Sequence, residues 1–187
     1  MYFPSGMTFQ YFFFDTYVGY FLQALPIALL AAVVWYMVRN RREPNLPRSQ
    51  KLWSCAFVCY MTGLVCLVIL LDLMGSAWYA LLYHQHSGRS IAFFGGAFHL
   101  VPDFWQNING EVIGNVLMFL PFGILHPLSH PKDTFRKTVF AGFVSVAAIE
   151  VLQLVFGRAF DINDIILNTF GIAVSAGLYF LVKKALC

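Results

Sequence analysis

Residues 17–38 read Tyr17-Val18-Gly19-Tyr20-Phe21-Leu22-Gln23-Ala24-Leu25-Pro26-Ile27-Ala28-Leu29-Leu30-Ala31-Ala32-Val33-Val34-Trp35-Tyr36-Met37-Val38, and Arg39-Asn40-Arg41-Arg42 follows at once. A helix needs about 20 apolar residues to cross hydrocarbon, and a basic stop marks its end. No basic segment precedes this run, and it is long for the apolar part of a cleaved leader, so it reads as a retained span. Four more apolar runs follow, at 52–74, 112–128, 138–156 and 165–182. The third is the shortest and contains Pro121, which frees a backbone carbonyl; a kink supported by neighbouring helices is expected there.

Composition agrees with five spans. Only 11% of the 187 residues are charged and 59% are hydrophobic, where a soluble domain averages about 25% charged. The expected fold is all-α: a polytopic membrane helix bundle of five transmembrane helices in a single domain over residues 1–187. Cys55, Cys59, Cys66 and Cys187 form no Cys-x-x-Cys or Cys/His ligand pattern. Three of them stack on one face of an apolar run and read as packing residues.

The basic residues orient the spans. Arg39, Arg41, Arg42, Arg48 and Lys51 fill the first loop, Lys132, Arg136 and Lys137 the third, and Lys183 and Lys184 the C-terminal end. Five spans put all three groups on one side, the cytoplasm, leaving only Arg89 and Arg158 elsewhere. The N-terminus is then outside and the C-terminus cytoplasmic. The outer loop, 75–111, holds Trp78-Tyr79-Ala80-Leu81-Leu82-Tyr83 and Ile91-Ala92-Phe93-Phe94-Gly95-Gly96-Ala97-Phe98. These stretches are too short to cross and too apolar for free loop, and they read as interfacial or re-entrant elements. Gly95-Gly96 would permit a tight turn.

The acidic residues fall the other way. Asp15, Asp72, Asp103, Glu111, Glu150, Asp161 and Asp164 lie on the outer side or in outer span halves, and only Glu43 and Asp133 are cytoplasmic. Asp15 and Asp72 read as a solvated face. Glu150 lies inside the fourth span, where an ionisable group costs about 2 kcal/mol or more and faces protein or a water-filled cavity. Gln153 shares its helix face at i+3. Asp161, Asp164, Asn168 and Gly171 form one helical stripe descending into the fifth span. Asp161 alone is also a natural helix N-cap, which does not account for Asn168. Asn115 sits just inside the third span, after Asn107, Asn109 and Glu111.

Asn115, Glu150, Gln153, Arg158, Asp161, Asp164 and Asn168 can therefore converge from three helices. One reading is polar glue between helices; the other is a pocket open to the outer leaflet, favoured because three carboxylates and an arginine exceed what glue requires. His99 and Glu111 are further candidates for the pocket. His84, His86, His126 and His130 read as surface or interfacial. No metal ligand set is expected, although Glu150, Asp161 and Asp164 would serve if a hard cation bound. No cofactor is expected.

At these residues the chain resembles the VanZ-like family. The resemblance lies in Asn115-Val116-Leu117-Met118-Phe119-Leu120-Pro121-Phe122-Gly123, in Glu150-Val151-Leu152-Gln153, in Gly157-Arg158-Ala159-Phe160-Asp161-Ile162-Asn163-Asp164 running on to Asn168 and Gly171, and in Leu100-Val101-Pro102. It is strongest over 98–180. It implies a bacterial cell-membrane protein linked to glycopeptide resistance, against teicoplanin more than vancomycin, without remodelling of the peptidoglycan terminus. The corresponding hypothesis is an extracytoplasmic pocket that binds an amphiphile: a membrane lipid, a lipid-linked wall precursor or the lipoglycopeptide antibiotic. Arg158 would meet an anionic head group.

Two alternatives come from other classes. A membrane-embedded enzyme acting on a lipid or envelope precursor would use the carboxylates as acid–base groups; no Ser/His pairing or His-rich motif accompanies them. A proton-coupled transporter would relay protons through them, but the inner span halves are nearly uncharged and no inverted repeat is visible. Nucleic-acid binding has no support, since topology and anionic lipids explain the basic clusters. Gly171 and Ser175, at small-xxx-small spacing, permit a close helix partner from this chain or another.

The orientation has a direct check. A reporter active only outside the cytoplasm is expected to work after Ser87 and to be silent after Asn45 or Asp133; the reverse pattern would overturn it.

Overall fold

The computed structural model describes residues 8–85, 93–106 and 110–186, with the Glu111 side chain left aside. His86, Arg89, residues 91–92, Asn107, Asn109 and Cys187 lie outside the described residues. The elements in chain order are α1 (Phe9–Asp15), α2 (Tyr17–Arg42), α3 (Arg48–Val68), α4 (Leu71–Tyr83), β1 (Phe98–His99), α5 (Gly110–Ser129), α6 (Phe135–Val155), β2 (Phe160–Asp161) and α7 (Ile162–Leu186). Five helices are long and apolar enough to cross a membrane: α2, α3, α5, α6 and α7. They match the five apolar runs. Their outward surfaces expose large hydrophobic side chains, among them Leu30, Phe140, Leu178 and Leu181. A surface of that kind suits hydrocarbon rather than water.

Contacts fix the helix directions. Trp35 on α2 reaches Ser54 on α3, and Tyr60 on α3 reaches the Met118 carbonyl on α5. Phe57 on α3 meets His126 and His130 at the far end of α5. Phe135, at the start of α6, packs on Phe180, near the end of α7. Thus α3 and α6 run against α2, α5 and α7. The basic groups gather at one end of the bundle, as the five-span reading requires, and Asp161 and Asp164 sit at the other. These are called the basic and acidic ends below. Lys51 is an exception to its expected role, being buried and donating to Asn40 Oδ1 at 2.8 Å and to the Pro44 carbonyl at 3.0 Å. It clasps the α2–α3 turn.

Helices α5 and α7 run parallel and pack most extensively. Glycines set how near they come. A Cβ at Gly171 would stand 2.4 Å from the Val116 carbonyl oxygen, and one at Gly123 would stand 2.1 Å from Ser175 Oγ. Ser175 turns its hydroxyl back onto the Gly171 and Ile172 carbonyls of its own helix. The small-residue stripe thus has its partner, α5, within this chain. Phe119, Phe122, Val146, Ile149 and Ile172 fill the core where α5, α6 and α7 meet. Three residues before Pro121 the Tyr60 hydroxyl donates to the Met118 carbonyl at 3.0 Å and joins α3 to α5.

Three expectations change. The second span ends at Val68 and not at 74, because the chain turns at residues 69–70 and restarts as α4, 13 residues long. At ~1.5 Å per residue α4 is too short to cross. It packs beside α2, where Trp78 Nε1 donates to the Gln23 carbonyl at 3.1 Å. Gly95-Gly96 makes no left-handed turn; Gly96 instead allows a close approach, since a Cβ there would stand 1.9 Å from the Arg158 carbonyl oxygen. His126 is buried rather than superficial.

A branched side chain at Gly171 must push α7 off α5. Gly171→Val is expected to lower the stability of the purified protein by about 1–3 kcal/mol, as overpacking does, while Gly177→Ala, which meets only the Phe135 ring at 3.9 Å, should be neutral. Thermal unfolding in detergent compares the two; equal stability would remove the close contact from the account.

Candidate functional site

The acidic end is built where α6 turns into α7. Gly157 takes φ 76° in that turn, a backbone state that favours glycine. Segment 93–99 lies across it: the Phe94 N–H donates to the Val155 carbonyl at 3.2 Å and the Phe160 N–H to the Ala97 carbonyl at 2.9 Å. Phe98 and His99 pair in parallel with Phe160 and Asp161. This two-residue ladder is the only sheet among the described residues. It places His99 beside Asp161, with the His99 side chain exposed.

Asp161 caps α7, its Oδ1 accepting from the Asn163 N–H at 2.8 Å. Its own N–H donates to Glu150 Oε2 at 3.2 Å. Glu150 is only 1% exposed. Asn115 Nδ2 donates to Asp164 Oδ1 in a short hydrogen bond that joins α5 to α7. One turn deeper, Asn168 is buried and its Oδ1 has no partner among the described residues; neither has the neighbouring Thr169 hydroxyl.

Gln153 and Arg158 share one acceptor. Gln153 Nε2 stands 3.2 Å and Arg158 Nη1 2.9 Å from the carbonyl oxygen of Val68, the last residue of α3. A helix C-terminus leaves its final carbonyls without intrahelical donors, and in hydrocarbon each such group costs several kcal/mol. Two side chains from the α6–α7 region therefore close the end of α3. Arg158 is exposed.

The seven residues singled out from sequence are thus gathered at one end: Asn115 with Asp164, Glu150 with Asp161 and Gln153 with Arg158 are linked, and Asn168 lies one turn deeper. Glu111 adds nothing here, since its side chain lies outside the described residues. One participant was missed. Asn163 accepts through Oδ1 from the Asp103 N–H at 3.0 Å and the Phe104 N–H at 3.4 Å, and its Nδ2 donates to Asp103 Oδ1 at 2.8 Å. It clamps the loop before α5 onto the start of α7. Asp103 had registered only as an outer charge, because a contact spanning 60 residues leaves no periodic trace.

An apolar cavity of about 410 Å³ lies between α2, α3 and α5. Phe21, Ala28, Gly63, Leu64, Leu67 and Met118 are among its walls. It occupies the acidic half of the bundle. Leu67 adjoins Val68, the residue whose carbonyl Arg158 holds. The volume falls within the range of about 300–1,000 Å³ typical of small-molecule sites.

The clamp gives a local prediction. Asn163→Ala removes a three-bond contact and should cost about 1 kcal/mol, with faster amide exchange over 98–106 and little change in α2 or α3. Unaltered protection of that loop would contradict it.

A family model described as VanZ/LLP1 matches residues 25–183. The chain belongs to that family and is a multi-pass membrane protein. It is 35% identical over 75 residues to "Protein VanZ" of Enterococcus faecium, a match covering 40% of this chain and 47% of the relative. The chain thus spans about half the length of the curated relative it matches. No solved structure matches it.

Proposed function

We propose that this member of the VanZ/LLP1 family binds an amphiphile from the outer leaflet of a bacterial cell membrane and thereby contributes to glycopeptide tolerance. The orientation rests on the basic residues, which put the acidic end outside. The observation that carries the reading is the adjacency of two unlike surfaces. An apolar cavity lies between α2, α3 and α5 with Leu67 in its wall, and the exposed Arg158 donates to the carbonyl of the next residue, Val68. A chain would occupy the cavity and an anionic head would meet the guanidinium, which suits phosphate and carboxylate. Asp161, Asp164 and Asn168 would receive amine or hydroxyl groups. The ligand class is a membrane lipid, a lipid-linked wall precursor or a lipoglycopeptide.

The chain length of the drug then matters. Teicoplanin carries an acyl anchor that vancomycin lacks, in keeping with the preference that the family resemblance implies. Much of the polar layer is occupied with internal bonds, as a helix-linking network would be. What exceeds that task is the exposed Arg158 and the Asn168 oxygen, which has no partner among the described residues.

Expression in a susceptible Gram-positive host is expected to raise the inhibitory concentration of teicoplanin more than that of vancomycin. Gly63→Phe should abolish the gain at unchanged membrane level. Gly63 lines the cavity, and an added Cβ there meets only the Ala28 Cβ, at 3.8 Å; thermal unfolding of the purified variant checks that the fold persists. Glu150→Gln and Asp164→Asn should weaken the gain as well. Tolerance that survives cavity filling would remove the amphiphile from the explanation.

A further inference from the structure

We infer that the basic end of the bundle carries a transition-metal site, formed by His126, His130 and Asp133, that takes a divalent ion of the zinc class. These side chains offer ligand atoms that all lie within 4.8 Å of one another. Among the described residues they form the only such group of histidine, cysteine or carboxylate side chains. The site stands at the opposite end from the polar layer and does not depend on the amphiphile reading.

The local sequence accounts for the arrangement. His126 and His130 are four residues apart at the end of α5, so their rings fall on one face. Pro131 and the turn into α6 bring Asp133 back toward them, its N–H donating to the His130 carbonyl at 2.9 Å. Aromatic stacking fixes the rings. Phe122 stacks on His126 at 5.3 Å, His126 on His130 at 4.8 Å, and Phe57 stands edge-on to both. Stacking occupies ring faces and leaves the nitrogens free.

The nitrogens themselves point to a ligand. His126 is 8% exposed, yet its Nδ1 has no hydrogen-bond partner among the described residues, and Asp133 Oδ2 is 4.0 Å away. A buried polar atom left without a partner is costly. A metal between these two groups would satisfy both. His130 faces the His126 carbonyl through Nδ1 at 3.3 Å. When Nδ1 carries the proton, that contact leaves Nε2 bare, in the manner of metal-bound histidines that donate their other nitrogen to a carbonyl.

Two imidazoles and a carboxylate suit zinc or a neighbouring first-row ion, with water completing the shell. Bonds of about 2.0–2.1 Å put tetrahedral ligand atoms roughly 3.3 Å apart, so binding needs a contraction of about 1.5 Å. His130 is exposed and Asp133 half-buried, so rotation of these two side chains can supply it. The opposing charge is Lys137, whose Nζ lies 3.9 Å from Asp133 Oδ1 on a 68% exposed side chain. It is free to swing away. Occupancy would pin the end of α5 to the α5–α6 turn.

The test uses the full chain, purified through a tag without histidine and titrated with Co²⁺ and then Zn²⁺. One equivalent of Co²⁺ is expected, with visible absorption of a tetrahedral or five-coordinate ion, displaced by Zn²⁺. His130→Ala and Asp133→Asn alter accessible side chains and should each weaken binding by about tenfold or more, as loss of even a supporting partner does. Lys137→Ala should tighten it. Thermal unfolding of each variant without metal verifies that the fold persists. Absence of saturable binding, or binding indifferent to these substitutions, would overturn the site.

Discussion

Two glycines let the backbones of α5 and α7 touch, and the polar layer at the acidic end follows from that approach. With Gly171 on the Val116 carbonyl and Gly123 on Ser175, the parallel helices are locked in register as well as in distance. In that register Asn115, next to Val116 on α5, meets Asp164, two turns before Gly171 on α7. Without a hydrophobic drive between helices in lipid, such backbone proximity and the hydrogen bonds it permits are the main sources of association. A helix separation larger by one methyl group would part Asn115 from Asp164 and uncover Asn168.

The second constraint is hydrogen-bond satisfaction in a medium that offers none. Side chains and a loop serve several backbone carbonyls in or beside the spans. Tyr60 serves the carbonyl near Pro121, Trp78 that of Gln23 beside Pro26, and Gln153 with Arg158 that of Val68. At the end of α6 the Phe94 N–H meets Val155. Individual bonds of this kind contribute about 0.6 kcal/mol on average in a membrane protein. Gln153 and Arg158 close the end of α3, one residue past Leu67 in the cavity wall. The residues that hold the fold and those offered for ligand binding are thus largely the same.

How much of this was legible in the sequence depends on the partner involved. Apolar runs and one-sided basic residues are properties of single segments, and both the five spans and the gathering of the basic groups could be read from them. Side-chain stripes on a known helix could also be read, hence Glu150 with Gln153 and the line through Asp164 and Asn168. What escaped is every contact whose acceptor is backbone or distant loop. Nothing in Leu67-Val68-Ile69-Leu70 announces a helix break, since the cause lies 85 and 90 residues away in Gln153 and Arg158. The Asn163 clamp and the two-residue ladder with segment 98–99 are hidden for the same reason. His126 looked superficial because it lies near a basic loop, whereas Phe57 and Phe122 close over it.

A chain-bearing molecule held between α2, α3 and α5 with its head at Arg158 would be visible in an experimental density map of the protein in nanodiscs of its native lipids. Elongated density is expected in the cavity lined by Ala28, Gly63 and Leu67, ending in a head group within hydrogen-bond distance of Arg158. A cavity closed by side chains, or lipid density whose head groups lie only at the basic end, would contradict it.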